Sequence, residues 1–156
     1  MIPESDISKL LYREARLMDE HYYDEWLSLW TSDGIYWVPC GHEDTDPKRQ
    51  VSIIYDNRAK MGDRIERLKS GSVMAQDPKP KMRRVISNIE IERTSESDAT
   101  AKSNFILIQA RNSEQLIWCG HSVHQLSLQK DGLRIARKKV LLVNSEQEMP
   151  VLQFLI

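Results

Sequence analysis

Cysteine is scarce in this chain of 156 residues. Only Cys40 and Cys119 occur, far apart and in no C-x-x-C pair. That spacing gives no zinc knuckle and no redox dithiol, and two reduced thiols are expected rather than a disulfide framework. An excess of one charge is also missing: 22 basic residues face 23 acidic ones, for a formal net charge of −1. No global basic field exists to attract a phosphate backbone, and aromatics are not interleaved with a basic patch, so nucleic acid is not an expected partner. No apolar run approaches the length of a membrane span. The opening MIPESDISKLL has neither the basic start nor the apolar core of a signal peptide, so no membrane contact and a cytoplasmic location are expected. There is no G-x-S-x-G, no phosphate-binding loop and no G-x-G-x-x-G, which leaves triad hydrolysis and nucleotide binding unsupported. Internal repeats and low-complexity segments are absent too.

What is present is an ordinary globular composition, 40% hydrophobic and 29% charged, at a length that favours one domain over residues 1–156. Residues 1–32 read as helical. Ile7, Leu10, Leu11, Glu14 and Met18 fall on one helical face, and Glu14 interrupts that apolar stripe, so it needs a partner or a place at the stripe's edge. A short second helix is predicted in YDEWLSLW, with Asp24 as N-cap and Trp26, Leu29 and Trp30 on one face. Residues 33–70 read as strand, loop, strand and helix. Asp33-Gly34 predicts a turn before an aromatic strand that stops at Pro39. Val51 to Ile54 predicts a short strand, followed by a helix from about Asn57 to Leu68. In that helix Asp56 is the candidate cap, Arg58, Met61, Ile65 and Leu68 share a face, Asp63 can pair with Arg67, and Gly71 lies where a C-cap glycine is favoured.

From residue 83 to 156 the period is two, as in an antiparallel sheet. Val85, Ser87, Ile89 and Ile91 are predicted on one face, and Arg84, Ile86, Asn88 and Glu90 on the other. NFILIQA carries apolar side chains on both faces, as a strand covered on both sides does. SESDA and QKDG are predicted hairpin turns. The apolar PVLQFLI must pack against the sheet or a partner, because an exposed run of that kind is a liability. Helices followed by a run of strands indicate an α+β fold, with N-terminal helices on a long, mostly antiparallel sheet that can curl into a cone.

The candidate chemistry is thin. A Rieske cluster needs two cysteines and two histidines in paired spacing. Cys40/His42 and Cys119/His121 each have C-x-H spacing, but neither is accompanied by a C-x-x-H pair. His121 and His124 are three apart on a predicted strand and so point to opposite faces, which does not suit one metal ion. HEDTD at 42–46 gathers carboxylates without the spacing of a calcium loop. An acid–base pair inside the cone would draw on Tyr36, Tyr55, His121 or His124 with Asp24, Asp33 or Asp56. Each has a structural reading as well: a cap, a turn or a satisfied buried hydrogen bond. No residue is assigned as catalytic, cofactor-binding or metal-ligating.

The residues themselves resemble a family. LYREARLMDEHYYDEWLSLWTSDGIYWVP is similar to the N-terminal signature of the small (beta) subunit of aromatic-ring-hydroxylating dioxygenases, through Tyr12, Glu14, Ala15, Leu17, Asp19, Asp24, Trp26, Leu27, Asp33-Gly34 and Tyr36-Trp37-Pro39. SIIYDNRAKMGDRIERLKSG, AQDPKPKMRRVISNIEIE and LRIARKKVLLVNSEQEMPVLQFLI resemble later segments of that family, in the same order. The resemblance implies a ketosteroid isomerase and nuclear transport factor 2-like cone. It implies a non-catalytic subunit that trimerises and binds three large (alpha) subunits, which carry the Rieske [2Fe-2S] cluster and the mononuclear non-haem iron. The holoenzyme would add dioxygen to an aromatic ring in aromatic-compound catabolism. The chain departs from the family pattern in a short N-terminus, in the lysine- and proline-rich loop at 77–82 and in an acidic loop at 40–50. Alternatives within the same superfold are a stand-alone isomerase or dehydratase and a module that binds a hydrophobic ligand.

Overall fold

A computed structural model describes residues 1–41, 46–70, 79–149 and 152–156. Three helices precede or interrupt a six-stranded sheet: α1 (Glu4–Asp19), α2 (Tyr23–Ser28), β1 (Trp30–Pro39), β2 (Ser52–Asn57), α3 (Arg58–Lys69), β3 (Lys81–Arg93), β4 (Asp98–Arg111), β5 (Glu114–Gln129) and β6 (Gly132–Leu142). The strand order is β2-β1-β6-β5-β4-β3. β3 to β6 form the predicted antiparallel meander, and β6 then lies parallel to β1. The acidic stretch 42–45, the glycine at 71 and most of the 74–82 loop lie outside the described residues.

The α1 stripe is as the spacing predicts: Ile7, Leu10, Leu11, Glu14 and Met18 are all buried. Glu4 and Asp6 sit in its first turn and Arg16 in its last, each favourable to the helix dipole. The helix runs beside the edge strand β3 and covers it. Asp19 accepts from the Arg84 backbone N–H at 2.9 Å, His21 bonds the Pro80 carbonyl at 2.9 Å, and Arg93 reaches the Ile2 carbonyl and Glu4. The Arg84 N–H on this edge, which would otherwise invite another strand, is thereby used.

Several local expectations shift. α2 ends at Ser28, so Trp30 begins β1 instead of continuing the helix, and Asp24 lies inside α2 after an N-cap at Tyr22. Asp24 pairs with Lys69 at 2.5 Å. The cap of α3 is Asn57, whose side chain accepts from the Lys60 N–H at 3.0 Å, not Asp56. Asp56 meets Arg64 at 2.6 Å. Asp63 and Arg67 form no ion pair among the described residues, where Lys69 instead joins Glu66. Residues 31–34 bulge from a continuous β1, because Trp30 pairs with Ile135 and Ile35 with Arg137. Gly34 suits that bulge, since a Cβ there would lie 3.0 Å from the Trp30 ring.

The β3 alternation is the main correction. Asn88 has φ +53° at a bulge between Ser87 and Glu90. One extra residue reverses the phase of everything beyond it. Val85 and Ser87 therefore face outward, while Ile89 and Ile91 turn inward and pack on the core. β4 alternates without a fault, with Ala99, Ala101, Ser103, Phe105 and Leu107 buried on the concave face. The predicted turns at SESDA and QKDG are present, and a third hairpin turns at Asn112-Ser113, with φ of +51° and +66°.

The concave face holds the core. Trp26, Trp30 and Tyr36 meet edge to face with centroids 5.3 to 5.9 Å apart. Gly120 on β5 packs against β6 so closely that a Cβ would lie 2.3 Å from the Leu141 carbonyl. The atoms it would meet are all backbone of Leu141 and Leu142 on β6, which cannot swing aside as a side chain would. Gly120→Ala is expected to destabilise the chain by about 3 kcal/mol, at the upper end of ordinary overpacking. A urea midpoint indistinguishable from wild type would show that the two strands can separate at this point.

A buried polar cluster as the candidate functional site

Glu14 breaks the apolar stripe of α1 because it has partners on the sheet. Its carboxylate accepts from Lys138 Nζ of β6 at 2.9 Å and from His124 Nε2 of β5 at 2.8 Å. Trp26 Nε1 donates to it at a longer 3.4 Å. All three charged or titratable groups are buried, with exposures of 1%, 2% and 3% for Glu14, Lys138 and His124. Lys138 also lies 5.8 Å from the centre of the Tyr36 ring and 3.7 Å from Met18 Sδ. Burial alone pushes the Glu14 carboxyl up, but the Lys138 ammonium and the His124 imidazole hold it well below the usual carboxylate range. At Lys138 the loss of water outweighs the attraction of Glu14, and its pKa is lowered.

A second pair lies beside the first. Arg84 Nε donates to Asp19 Oδ1 at 2.7 Å, with both side chains buried. The same guanidinium donates to the Leu155 carbonyl at 3.0 Å. Tyr36 donates its hydroxyl to the Ile156 carbonyl at 2.7 Å and accepts from the Ile156 N–H at 2.9 Å. Phe154 packs on Trp118 with ring centroids 5.4 Å apart. Leu152, Phe154, Leu155 and Ile156 are all buried. The apolar tail thus packs inside the concave face of its own sheet.

This filling decides what the cluster can do. A carboxylate that orients an imidazole has the parts of a general base, and His124 Nδ1 has no hydrogen-bond partner among the described residues. A base must reach a substrate, and here the space is taken. Burying each large apolar side chain is worth roughly 1.5–3 kcal/mol, so withdrawing four of them would cost on the order of 10 kcal/mol. Among the described residues the tail fills the concave face and leaves Glu14, Lys138 and His124 buried. Cavities lie instead at the ends of the sheet, one of about 620 Å³ walled in part by His21, Lys79 and Met82, another of about 420 Å³ beside Cys40 and Arg64.

The other candidates are scattered. His121 faces the convex side and bonds Asn104 at 3.0 Å, on the opposite face from His124 as the spacing predicts. Tyr55 packs on Trp37 outside the cone. Asp24 and Asp56 serve ion pairs at the helices, and Asp33 lies in the β1 bulge beside Arg134. Among the described residues no group of three or more His, Cys, Asp or Glu could hold a metal ion. The two free cysteines, Cys40 just after β1 and Cys119 on β5, stand singly rather than in the paired spacing a Rieske cluster uses. Lys138 and Arg84 were not singled out in the sequence. The signal for Lys138 was a charge at an inward position of a period-two strand, and for Arg84 it was hidden by the bulge that follows.

A model of the ring hydroxylating beta subunit family matches residues 13–148. The chain belongs to this family. It is 35% identical over 144 residues to the small subunit of 2-halobenzoate 1,2-dioxygenase from Burkholderia cepacia, a match spanning 89% of this chain and 87% of that one. The crystal structure of the beta subunit of benzoate 1,2-dioxygenase from Burkholderia mallei superposes with a TM-score of 0.81 at 29% identity, covering 96% of both chains. An NTF2-like protein with a cystatin-like fold from Novosphingobium aromaticivorans shares the fold at a TM-score of 0.65 and 16% identity, over 90% of this chain and 82% of that one. The beta subunit is therefore an α+β cone of the expected type, with helices on a six-stranded, mostly antiparallel sheet.

Within the beta subunit, Glu14, His124 and Lys138 join α1 to β5 and β6. Lys138→Met is expected to cost about 3–5 kcal/mol, because it leaves Glu14 charged, buried and short of a cation. Glu14→Gln combined with Lys138→Met is expected to recover much of that loss, read by chemical denaturation. The folded-state pKa of Glu14 lies below its unfolded value, so its contribution is complete above about pH 5 and is lost as the pH falls through the carboxylate range. Glu14→Gln is expected to flatten the decline of stability below pH 5, and an unchanged slope would remove Glu14 as its source.

Proposed function

We propose that this chain is the non-catalytic assembly subunit of a ring-hydroxylating dioxygenase that acts on an aromatic ring in the cytoplasm, and that residues 1–156 work as one domain. The observation that carries the reading is the cone filled by residues 152–156, which denies the Glu14–His124 pair a substrate. One continuous core joining the three helices to the sheet and the tail supports the single-domain reading. No residue of this chain is assigned to catalysis, cofactor or metal. The Rieske [2Fe-2S] cluster and the mononuclear iron belong to the large subunit in this reading, in keeping with the unpaired positions of Cys40 and Cys119. The chain would trimerise and carry three large subunits. Several relatives are named for benzoate-type acids, 2-halobenzoate and benzoate among them, and a more distant one for benzene, so an aromatic carboxylate is the proposed substrate class of the complex. No helix among the described residues is long and apolar enough to cross a membrane.

The test is co-expression with the large oxygenase subunit. The isolated chain is expected to bind no iron and to show no turnover, whereas the co-purified complex oxidises the aromatic acid. Turnover by the isolated chain, lost on His124→Ala in a folded protein, would restore the isomerase or dehydratase reading. Asp56→Asn separates support from chemistry. It weakens the partly buried Arg64 pair and is expected to lower stability by about 1–2 kcal/mol, with turnover per assembled complex unchanged. Loss of turnover in a fully assembled complex would place Asp56 in the reaction.

A further inference from the structure

Neither the Glu14 cluster nor the tail accounts for the cavity of about 620 Å³ at the end of α1. Three stretches wall it: the end of α1 with the two residues that follow, the approach to β3 with its first three residues, and the far end of β4. Its volume falls within the range of small-molecule sites, roughly 300–1,000 Å³. The lining has an apolar part and a cationic part. In the β3–β4 register Lys81 stands opposite Ala110 and Arg83 opposite Ile108, on the outer face. Lys81 and Arg83 are thus neighbours on one side of a strand, with Cα atoms roughly 7 Å apart. Ile108 is 43% exposed, so apolar surface is open to a ligand there. Ala110 carries only a methyl group and leaves room beside Lys81.

The charges of the lining do not cancel one another. Its two acids have cations of their own: Asp19 is held by Arg84 at 2.7 Å, and Glu20 lies 3.6 Å from Arg16. Lys79 rests 5.4 Å from the centre of the Tyr23 ring. His21 is engaged at both ring nitrogens, with the Tyr23 hydroxyl at 3.0 Å and the Pro80 carbonyl at 2.9 Å. Lys81 and Arg83 have no acidic partner among the described residues, and the Arg83 guanidinium donates to the neighbouring Met82 carbonyl at 3.3 Å. Two cations without a counter-charge beside exposed apolar surface call for a ligand with an anionic head and an apolar body.

We propose that this cavity is a binding site for a small carboxylic acid with an apolar body, its carboxylate between Lys81 and Arg83 and its body against Ile108 and Ala110. Charge-assisted hydrogen bonds from an ammonium and a guanidinium hold the head, and removal of apolar surface from water holds the body. The ligand class follows from the lining. Its link to the complex rests on the reading of the chain as an oxygenase subunit, for which an aromatic acid is the proposed substrate class.

The test titrates the full chain with benzoate, hexanoate, benzamide and inorganic phosphate, followed by amide chemical shifts. Lys81→Gln/Arg83→Gln removes the cations and Ala110→Leu fills the apolar end, and melting curves confirm that both variants fold. Benzoate or hexanoate is expected to bind once per chain, and at least about tenfold more weakly in each variant. Benzamide lacks the charge and phosphate lacks the apolar body, so both are expected to bind at least about tenfold more weakly than the better acid. Rising salt weakens the acids. Tighter binding of benzoate gives the site to aromatic acids and tighter binding of hexanoate to aliphatic ones, and either result keeps the assignment. No saturable shift with either acid, equal binding of benzamide or phosphate, or wild-type affinity in either variant overturns it. So does loss of the large subunit from the variants when no acid binds, which would give the cavity to a segment of that partner. Failure of the unmodified chain to co-purify with a large subunit is a separate result: it removes the assembly reading and leaves the titration to decide the site.

Discussion

Glu14 is the carboxylate that α1 carries deepest into the core, and the arrangement of helix against sheet depends on how it is met. A buried carboxylate without partners would be far too costly to keep ionised. Here an ammonium from β6 and an imidazole from β5 converge on it at 2.9 and 2.8 Å. The three groups come from elements distant in sequence, so they fix where α1 lies across the sheet and in which rotation. A slip of one residue in β5 or β6 would carry His124 or Lys138 to the convex face and strand the charge. The cluster thus specifies register more than it adds net stability, in the way argued for buried ion pairs elsewhere.

The Asp19–Arg84 pair extends the same logic to the edge of the sheet. Arg84 is held by α1 at one end and holds the Leu155 carbonyl at the other. Tyr36 grips Ile156 from the β1 side. The tail is therefore clamped by polar groups that are themselves positioned by helix–sheet contacts. A fold able to enclose a ligand has enclosed a piece of its own chain. That closure buries the elements of a general base among the described residues, which suits a small subunit of an oxygenase more than a separate catalyst.

Much of this was legible in the sequence, and the misses share a cause. Helical stripes, the strand run after residue 83 and the separation of His121 from His124 follow from periods of 3.6 and 2.0, which are local. The resemblance through Tyr12 to Pro39 rests on residue types and points to the family without any geometry. Asp24 and Asp56 were expected as caps because a carboxylate before a helix commonly is one. Both instead pair with lysine or arginine brought from elsewhere in the chain, and Asn57 takes the cap next to Asp56. The face assignment within β3 failed at Asn88, since a single bulge inverts every later position and leaves no mark on composition.

The sequence by itself determined the class of fold, the family and the lack of a metal-binding pattern in its two cysteines, because these rest on local period, spacing and residue type. Only the tertiary structure decided that Glu14 is satisfied by Lys138 and His124, that the tail packs inside the concave face and that Asn57 rather than Asp56 caps α3. The first two facts concern which distant residues share a volume. Long-range packing alone sets that, and no window of sequence contains it.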